Sequence, residues 1–406
     1  MAVFSKLPRS AWLVLGILLF ATTLRGPFTA VGPLLESLRP VFGLSTSEAG
    51  LLITLPLLSF FVVSPFAPLL ARKIGLERAL FVALLIMCAA IVLRSTGALW
   101  SLYAGTSILG AGIAIGNTLL PSLLKRDFPS QITTLTAVYA ITMGVASAAG
   151  SAVVVPLAQS LNWQWSLGVF LVLPLLSALV WLPQLKAVRA QAAPAANKTT
   201  TTRSVWTMGL AWQVGLFFGT SSLTYYSVAT WLPAMLVDLG YSQAQAGSLH
   251  GLMQLATAFP GLILVPIVKR SKDQRGIAVS MASLSLVSLL GLILFPAAAT
   301  VWVTVFGFGV TGTFILGLSF IGMRAATTAQ AAALSGMAQC IGYLLAATGP
   351  IVLGALHDSV GNWQVPLYVC TGLCVLQSIL GMGAGRAIHL PQDTPAADAA
   401  VTAAAE

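Results

Sequence analysis

Twelve long apolar stretches dominate this chain and restrict what it can fold into. Each has about the 20 residues that an α-helix needs to cross a bilayer core of about 30 Å. Hydrophobic residues fill 57% of the 406 positions and charged residues only 7%, which excludes an ordinary water-soluble domain. We therefore predict an all-α polytopic membrane protein with twelve transmembrane helices. The predicted spans are Trp12–Leu35, Ser47–Ala71, Ala79–Ser95, Trp100–Leu124, Thr133–Pro156, Trp165–Pro183, Met208–Leu236, Ala244–Val268, Ile277–Pro296, Val301–Met323, Ala331–Leu356 and Pro366–Gly383.

The twenty Lys and Arg residues predict the orientation of these spans. With the N-terminus in the cytoplasm, seventeen of them fall on the cytoplasmic side, Arg39 and Arg94 fall outside, and Arg25 lies within the first span. The positive-inside rule therefore favours cytoplasmic locations for both termini. The net charge of +10 then reflects orientation and contact with lipid headgroups, and not nucleic-acid binding.

The second half of the chain repeats the first. Gly43-Leu44-Ser45 matches Gly240-Tyr241-Ser242 at an offset of 197 residues, and the basic pairs after the second and eighth spans match at the same offset. A repeat of six crossings preserves sidedness, so the halves are parallel copies related by an axis along the membrane normal. We expect one six-helix bundle at 1–185, a cytoplasmic linker at 186–206, a second six-helix bundle at 207–390 and a disordered cytoplasmic tail at 391–406.

Arg25 is the only Lys or Arg that this count places inside the spans, and a mid-membrane arginine costs roughly 2.5–3.5 kcal/mol on insertion scales. None of the ten Asp and Glu residues lies in the middle of a span, so no carboxylate is expected at its depth. Its partner is then a substrate anion, a polarised nitro or carbonyl oxygen, or backbone carbonyls. The planar fork of a guanidinium suits flat groups with two oxygens.

Other polar side chains recur at helical spacing in the spans, as expected if one face of each helix lines a cavity. Each also has a structural interpretation. Hydroxyls in spans commonly bond to backbone, and tyrosines near span ends form interfacial belts. Asn117 could cap a helix break before Pro121. In the eighth span the stripe is His250, Gln254 and Thr257. The candidate substrate-binding residues are Thr22, Arg25, Thr29, Asn117, Tyr139, Tyr225, Tyr226, His250, Gln254, Gln339 and Tyr343.

The sequence leaves the driving force open. His250 either donates a structural hydrogen bond or titrates near neutral pH. Since no carboxylate is embedded in a span, either His250 carries a proton, or the substrate carries it, or transport is uncoupled. The four cysteines lie in spans without a further ligand, so we predict no metal site. The spans contain no H-E-x-x-H motif, no paired aspartates and no Ser/His dyad at a sensible spacing, so we predict no enzymatic activity, and we expect no cofactor.

The loop after the second span carries part of a known signature, G-x-x-x-D-R/K-x-G-x-R/K-R/K. Lys73, Gly75 and Arg78 fit it, whereas Arg72 stands at the acidic position and Glu77 at a basic one. Together with the two parallel halves and the longer stretches Ala21–Ala30 and Ala332–Pro350, the chain resembles the major facilitator superfamily, and within it the cyanate porter branch.

This resemblance implies a monomeric secondary transporter in a bacterial inner membrane that works by alternating access, without nucleotide hydrolysis. Its substrate would be a small planar polar or anionic solute, and its central path would lie between the first, fourth, seventh and tenth spans. The loop residues Arg72, Lys73, Gly75 and Arg78 would serve gating. Efflux of a 2-nitroimidazole-like compound and uptake of cyanate or another small anion both remain open, and a non-transporting membrane sensor is the alternative from another class.

Overall fold

The computed structural model describes residues 9–128, 130–185 and 204–391, and in these ranges the protein consists of α-helices and short 3-10 turns without a β-strand. The all-α prediction is confirmed. The predicted linker and tail lie outside the described residues, apart from residues 204–206 and 391. The helices are α1 (Arg9–Thr29), α2 (Leu35–Phe42), α3 (Thr46–Val63), α4 (Ala67–Ile74), α5 (Leu76–Arg94), α6 (Leu99–Asp127), α7 (Ile132–Ser160), α8 (Trp163–Gly168), α9 (Val172–Leu185), α10 (Gly209–Asp238), α11 (Gln243–Ala256), α12 (Pro260–Arg270), α13 (Arg275–Leu294), α14 (Ala299–Arg324), α15 (Thr328–Val360) and α16 (Gln364–Ala384).

Eleven helical segments of the described residues are long and apolar enough to cross a membrane. The predicted seventh span, Met208–Leu236, is not among them, although it forms the 30-residue helix α10. A helix of that length extends about 45 Å, more than the bilayer core of about 30 Å. Its hydroxyl-bearing and tyrosine side chains lower its mean hydropathy, and most of the hydroxyls are buried in the bundle. With α10 the segments number twelve, as the sequence predicts.

Four predicted spans are not single helices. The sixth, Trp165–Pro183, is interrupted by the 3-10 turn Val169–Leu171. The other three are interrupted at prolines. Pro33 lies in a 3-10 turn between α1 and α2, Pro65 lies in one between α3 and α4, and Pro260 begins α12 after a break that follows α11. Proline lacks the N–H that a continuous helix needs and restricts the residue before it. Apolar pattern alone therefore predicted the crossings but not these breaks.

The repeated Gly-x-Ser motif is a helix-start signal that both halves use. Gly43 and Gly240 adopt positive φ values of 64° and 95°, which glycine tolerates at a chain reversal. Two residues later, Ser45 and Ser242 each accept a hydrogen bond from the backbone N–H of the third residue on, whose side chain in turn accepts from the serine N–H. These capping boxes begin α3 and α11 at equivalent places in the two halves.

The two halves touch through backbone at one end of the bundle, which we call the distal end: there α3 and α11 begin and α7 and α15 end. A Cβ on Gly50 of α3 would lie 2.8 Å from the Pro350 carbonyl oxygen of α15, and one on Gly354 would lie 2.8 Å from the Thr46 oxygen. On the other side, a Cβ on Gly251 of α11 would lie 2.7 Å from the Ala148 oxygen of α7. Only glycine permits helices to approach so closely.

At this distal end, a carboxylate of the second half accepts hydrogen bonds from backbone of the first half. Asp358, in the last turn of α15, accepts hydrogen bonds from the backbone N–H groups of Thr46 (3.1 Å) and Ser47 (3.0 Å) at the start of α3. His357 Nδ1 lies 3.1 Å from the Thr46 hydroxyl. A negative charge at a helix N-terminus satisfies free N–H groups and interacts favourably with the helix dipole. We call this set of contacts the distal latch.

Arg94, the last residue of α5, is fully buried and joins two helix ends. Its guanidinium donates to the carbonyl oxygens of Pro27 (2.8 Å), near the end of α1, and Leu167 (3.2 Å), near the end of α8. Carbonyls at helix C-termini lack partners within the helix and attract cations. Arg94 was expected outside with Arg39, and the structure buries its side chain at the end of α5, where it turns inward to these carbonyls. Arg25 is therefore not the only arginine that the helices enclose.

We expect Asp358→Asn to loosen the distal latch, since loss of a charge at a helix N-terminus costs about 1 kcal/mol, equivalent to a roughly fivefold shift in population. The measurement is the reaction rate of a cysteine placed at the buried Thr54 with a membrane-impermeant thiol reagent, with the native cysteines replaced. Thr54 bonds across the halves to the Ala347 oxygen. Asp273→Asn, at an exposed acid paired with Arg275, is the control. Equal labelling rates in both variants would contradict the role of Asp358.

We expect Arg94→Met to destabilise the fold, because two buried carbonyls lose their donor at about 1–3 kcal/mol each. The midpoint of thermal unfolding of the detergent-solubilised protein should fall well below that of Arg270→Met, a change at an exposed arginine. Arg94→Lys should lie between them, since an ammonium retains the charge without the fork. If Arg94→Met and Arg270→Met unfold at the same temperature, Arg94 does not hold the helix ends.

Candidate functional site

A cavity of about 300 Å³ lies between the two halves, in the middle of the bundle. It is bounded by α1, α3, α6 and α7 from the first half and by α10, α14 and α15 from the second. Its lining residues are Leu24, Arg25, Phe28, Thr29, Phe60, Asn117, Met143, Ser222, Tyr225, Tyr226, Val310, Thr311, Phe314 and Tyr343.

Arg25 reaches from α1 across this cavity to the second half. Its Nη1 donates to the hydroxyl of Thr257 (3.0 Å), just after α11, and its Nη2 donates to the hydroxyl of Tyr225 on α10. The guanidinium carbon also lies 5.3 Å from the centre of the Tyr225 ring. Within the described residues no acidic side chain pairs with Arg25. Neutral oxygens thus hold the cation and leave its full charge at the cavity wall.

Tyr225, Gln254 and His250 continue the polar contacts away from Arg25. The Tyr225 hydroxyl donates to Gln254 Oε1 (2.8 Å), and Gln254 Nε2 lies 3.2 Å from His250 Nε2. Gln254 and His250 are buried, and both border a second, smaller cavity of about 20 Å³. That volume is close to what one water molecule occupies. The helical spacing of His250 and Gln254 puts both side chains on the same face of α11.

Aromatic rings form much of the cavity wall. Phe28 packs against Phe60 and Tyr226 with ring centres 6.0 Å and 6.1 Å apart, and Phe60 packs against Tyr343 at 6.1 Å. Tyr226 also packs edge to face against Tyr225 at 4.9 Å. These tilted and edge-to-face arrangements are the ones that aromatic pairs favour. The cavity therefore combines one cation with several ring surfaces.

Asn117, Tyr139 and Thr29 lie on the first-half side. Asn117 lines the cavity, and the Tyr139 hydroxyl lies 3.5 Å from its Oδ1. Thr29 also lines the cavity, but its hydroxyl lies 2.8 Å from that of Ser147 and 3.0 Å from the Arg25 carbonyl. The Thr29 hydroxyl thus joins α1 to α7 and helps to hold the helix that carries Arg25.

Five candidate residues do not line the larger cavity. Tyr139 lies behind Asn117, and His250 and Gln254 border the smaller cavity. Thr22 and Gln339 border neither cavity. The Thr22 hydroxyl donates to the Leu19 carbonyl (2.7 Å) within its own helix, and the Gln339 amide donates to the Ser335 hydroxyl (2.9 Å). Neither residue is part of the cavity lining. Each lies about one helical turn from a lining residue, Thr22 from Arg25 and Gln339 from Tyr343, toward the end of the bundle opposite the distal end.

The loop candidates lie apart from the cavity. Gly75 has a φ of 91° between α4 and α5, and Arg72, Lys73 and Arg78 are exposed around it. Glu77, which departs from the family signature, is nearly buried and pairs with Arg126 of α6 at 2.5 Å. Glu77, in the first turn of α5, therefore ties α5 to α6 within the first half.

Sequence reasoning missed the apolar part of the lining: Phe28, Phe60, Met143 and Phe314 have no charge or hydrogen-bonding group to set them apart from packing or lipid-facing residues. Thr311, the hydroxyl that α14 contributes, was missed as well. The available signal was position, since Phe28 lies one helical turn after Arg25 and hence on the same face of α1.

Comparisons with known proteins agree with this architecture. The chain is 51% identical over 375 residues, 92% of its length and 95% of the relative's, to the 2-nitroimidazole transporter of Escherichia coli (strain K12). It is 30% identical over 369 residues, 90% of its length and 94% of the relative's, to the cyanate transport protein CynX of the same organism. In the crystal structure of the D-xylose-proton symporter, 97% of that chain matches 92% of this one with a TM-score of 0.70 at 14% identity, which shows a shared fold.

Residues 11–347 match the sequence profile of the Major Facilitator Superfamily. The profile covers most of the chain, and the relatives named above are transporters that align along nearly their whole length. This chain therefore belongs to the major facilitator superfamily and is a multi-pass membrane transporter.

Proposed function

We propose that this protein is a secondary transporter that moves a small planar polar or anionic solute across a bacterial inner membrane by alternating access, with the solute held beside Arg25. The observation that carries the proposal is the Arg25 cation, which lines a cavity between the two halves and has no acidic partner among the described residues. The predicted orientation, with both termini in the cytoplasm, puts the distal end outside. The transporter acts as a monomer, since one chain supplies every side of the cavity, and needs no cofactor.

The charge of Arg25 favours an anion or a strongly polarised oxygen. A guanidinium has five N–H donors, and two contacts to neutral hydroxyls account for only part of them. Charge-assisted hydrogen bonds are roughly twice as strong as neutral ones, and a fork of donors suits a nitro or carboxylate group. A solute with such a group would supply the negative charge that the described residues do not.

The walls and the volume of the cavity favour a planar ring. A cavity of about 300 Å³ is within the range of small-molecule sites, whereas cyanate has only three atoms. The rings of Phe28, Phe60, Tyr226 and Tyr343 line the cavity and offer faces and edges that a flat solute can contact. The 51% identity to a 2-nitroimidazole transporter supports a nitro-substituted heteroaromatic as the first candidate, and the 30% identity to a cyanate transport protein supports a small anion as the second.

Closure at one end supports alternating access. The hydrogen bonds that cross between the halves in the described residues lie from the distal latch to the level of Arg25. Opening the distal end therefore requires the Arg25 contacts to Tyr225 and Thr257 to break together with the latch. A solute that accepts hydrogen bonds from Arg25 competes with Tyr225 and Thr257 for its N–H groups. Binding of the solute is thereby coupled to the movement of the halves. The direction of net transport then follows the gradients of the solute and of any coupled ion.

We expect Arg25→Ala to weaken 2-nitroimidazole binding by about 10- to 100-fold, the equivalent of the roughly 1.5–3 kcal/mol of a charged hydrogen bond. Arg25→Lys should bind with intermediate affinity, because it keeps the charge and loses the fork. The measurements are binding to the purified protein and flux into liposomes, with Arg270→Ala as the exposed control. Wild-type flux by Arg25→Ala would refute the central role of Arg25.

We expect Tyr226→Leu to weaken the binding of 2-nitroimidazole by about 2- to 10-fold, the equivalent of the roughly 0.5–1.5 kcal/mol of an aromatic contact. Cyanate binding should change little, because cyanate has no ring. Competition binding with both solutes gives the ratio, and Tyr368→Leu, at an exposed tyrosine outside the cavity, is the control. An equal loss for both solutes would contradict recognition of the ring.

A further inference from the structure

We propose that His250 is a proton site whose occupancy is coupled to anion binding at Arg25 through Tyr225 and Gln254. The inference rests on the proposed function and adds to it the coupled ion. The residues form one continuous set of contacts: Arg25 Nη2 to the Tyr225 hydroxyl, that hydroxyl to Gln254 Oε1 (2.8 Å), and Gln254 Nε2 to His250 Nε2 (3.2 Å).

The donor-only character of Arg25 fixes the direction of every bond in this set. Because a guanidinium cannot accept, the Tyr225 oxygen is the acceptor and its proton has to point elsewhere. Gln254 Oε1 accepts that proton, which directs the Gln254 amide nitrogen toward His250. His250 Nε2 must then accept, so the ring is neutral with its proton on Nδ1.

A protonated His250 is incompatible with this arrangement. With protons on both ring nitrogens, Nε2 can only donate, so the Gln254 amide must reverse and present its oxygen. The reversed amide donates to the Tyr225 oxygen, and the phenolic proton turns away from Gln254 to the side where Arg25 donates. Two donors then face each other, and the bond from Arg25 to Tyr225 breaks.

The result is a better anion site. After the reversal, the Tyr225 hydroxyl and the freed Nη2 of Arg25 are both donors at the same wall of the cavity, and one anionic oxygen can accept from both. The anion also offsets the repulsion between Arg25 and a charged His250. Proton and anion therefore favour each other's binding, and linkage requires the effect to be reciprocal. Because the charges cancel, co-transport of one proton with one monovalent anion is electroneutral.

The surroundings of His250 contain no competing acid. The ring is 1% exposed and lies against the Ala229 backbone of α10. The titratable or charged groups that face it are Arg25 of α1 and Tyr225 and Tyr226 of α10. The other elements around it contribute Thr29, Ile53 of α3, Gly32 of the turn after α1, and the Ala148 backbone of α7 beneath Gly251. In this distally closed state the site is sealed, and parting of α11 from α7 would open it to water.

The test is calorimetric binding of benzoate to the full-length protein between pH 5 and pH 7. Benzoate is a flat aromatic carboxylate that stays mostly ionised over this range, since carboxyl pKa values lie near 4. We expect the wild-type dissociation constant to rise by at least about fivefold from pH 5 to pH 7, the lower end of typical coupling between sites. Buffers with different ionisation enthalpies should show uptake of up to one proton per benzoate bound.

Two variants distinguish a relay through Tyr225 and Gln254 from direct charge repulsion between His250 and Arg25. His250→Gln cannot titrate in this range, and Gln254→Met keeps His250 but removes the amide that reverses; both should bind benzoate with little pH dependence. His389→Gln, at an exposed histidine outside the site, should behave like wild type. Unchanged pH dependence in His250→Gln overturns the proton site, and pH dependence kept by Gln254→Met but lost in His250→Gln overturns the relay in favour of direct charge repulsion.

The outcome at Arg25 distinguishes this inference from the proposed function. Benzoate binding that depends on Arg25 but not on pH overturns the proton site at His250 and leaves the proposed anion site at Arg25 standing. If benzoate shows no Arg25-dependent binding at any pH, the anion site itself is refuted, and the proton coupling with it.

Discussion

A permanent cation in an apolar bundle is the constraint on which the rest of this structure depends. Arg25 cannot lose its proton and cannot accept a hydrogen bond, so every group around it must offer an oxygen or a ring face. The second half of the protein supplies these groups through Tyr225 and Thr257. The cation therefore links the halves and sets the direction of the hydrogen bonds that lead to His250. It leaves a positive charge in the cavity that a solute can neutralise.

Arg94 shows what a buried arginine looks like when its role is structural. Its donors go to two helix-end carbonyls, its side chain is fully buried, and it does not line the central cavity. Arg25 differs in each respect, since it bonds to side chains of the opposite half and borders an open volume. The two residues lie close in the fold, because Arg94 bonds to the carbonyl two residues after Arg25. One guanidinium thus fixes the end of the helix that carries the other.

Local sequence signals predicted the crossings and singled out Arg25, which lines the central cavity, because apolar length and an isolated charge are properties of a single segment. The motifs that repeat at an offset of 197 residues form equivalent capping boxes in the two halves, because a capping box also depends on one short segment. The roles of residues whose partners lie far along the chain were harder to predict. Whether Thr22 or Thr29 borders the cavity, and whether Arg94 turns inward, depends on helix rotation and on carbonyls that other helices present. Aromatic lining such as Phe60 has the same composition as lipid-facing surface, so only packing separates the two.

The glycine contacts at the distal end have a thermodynamic consequence. Where Gly50 and Gly354 meet α15 and α3, and Gly251 meets α7, one backbone lies directly on another with no side chains interlocked between them. In the movement that we propose, parting these glycine contacts would expose peptide groups and little apolar area. Their share of the heat-capacity change of opening would be small, because that change scales with the apolar area exposed. These contacts would therefore add little temperature dependence to the balance between closed and open states.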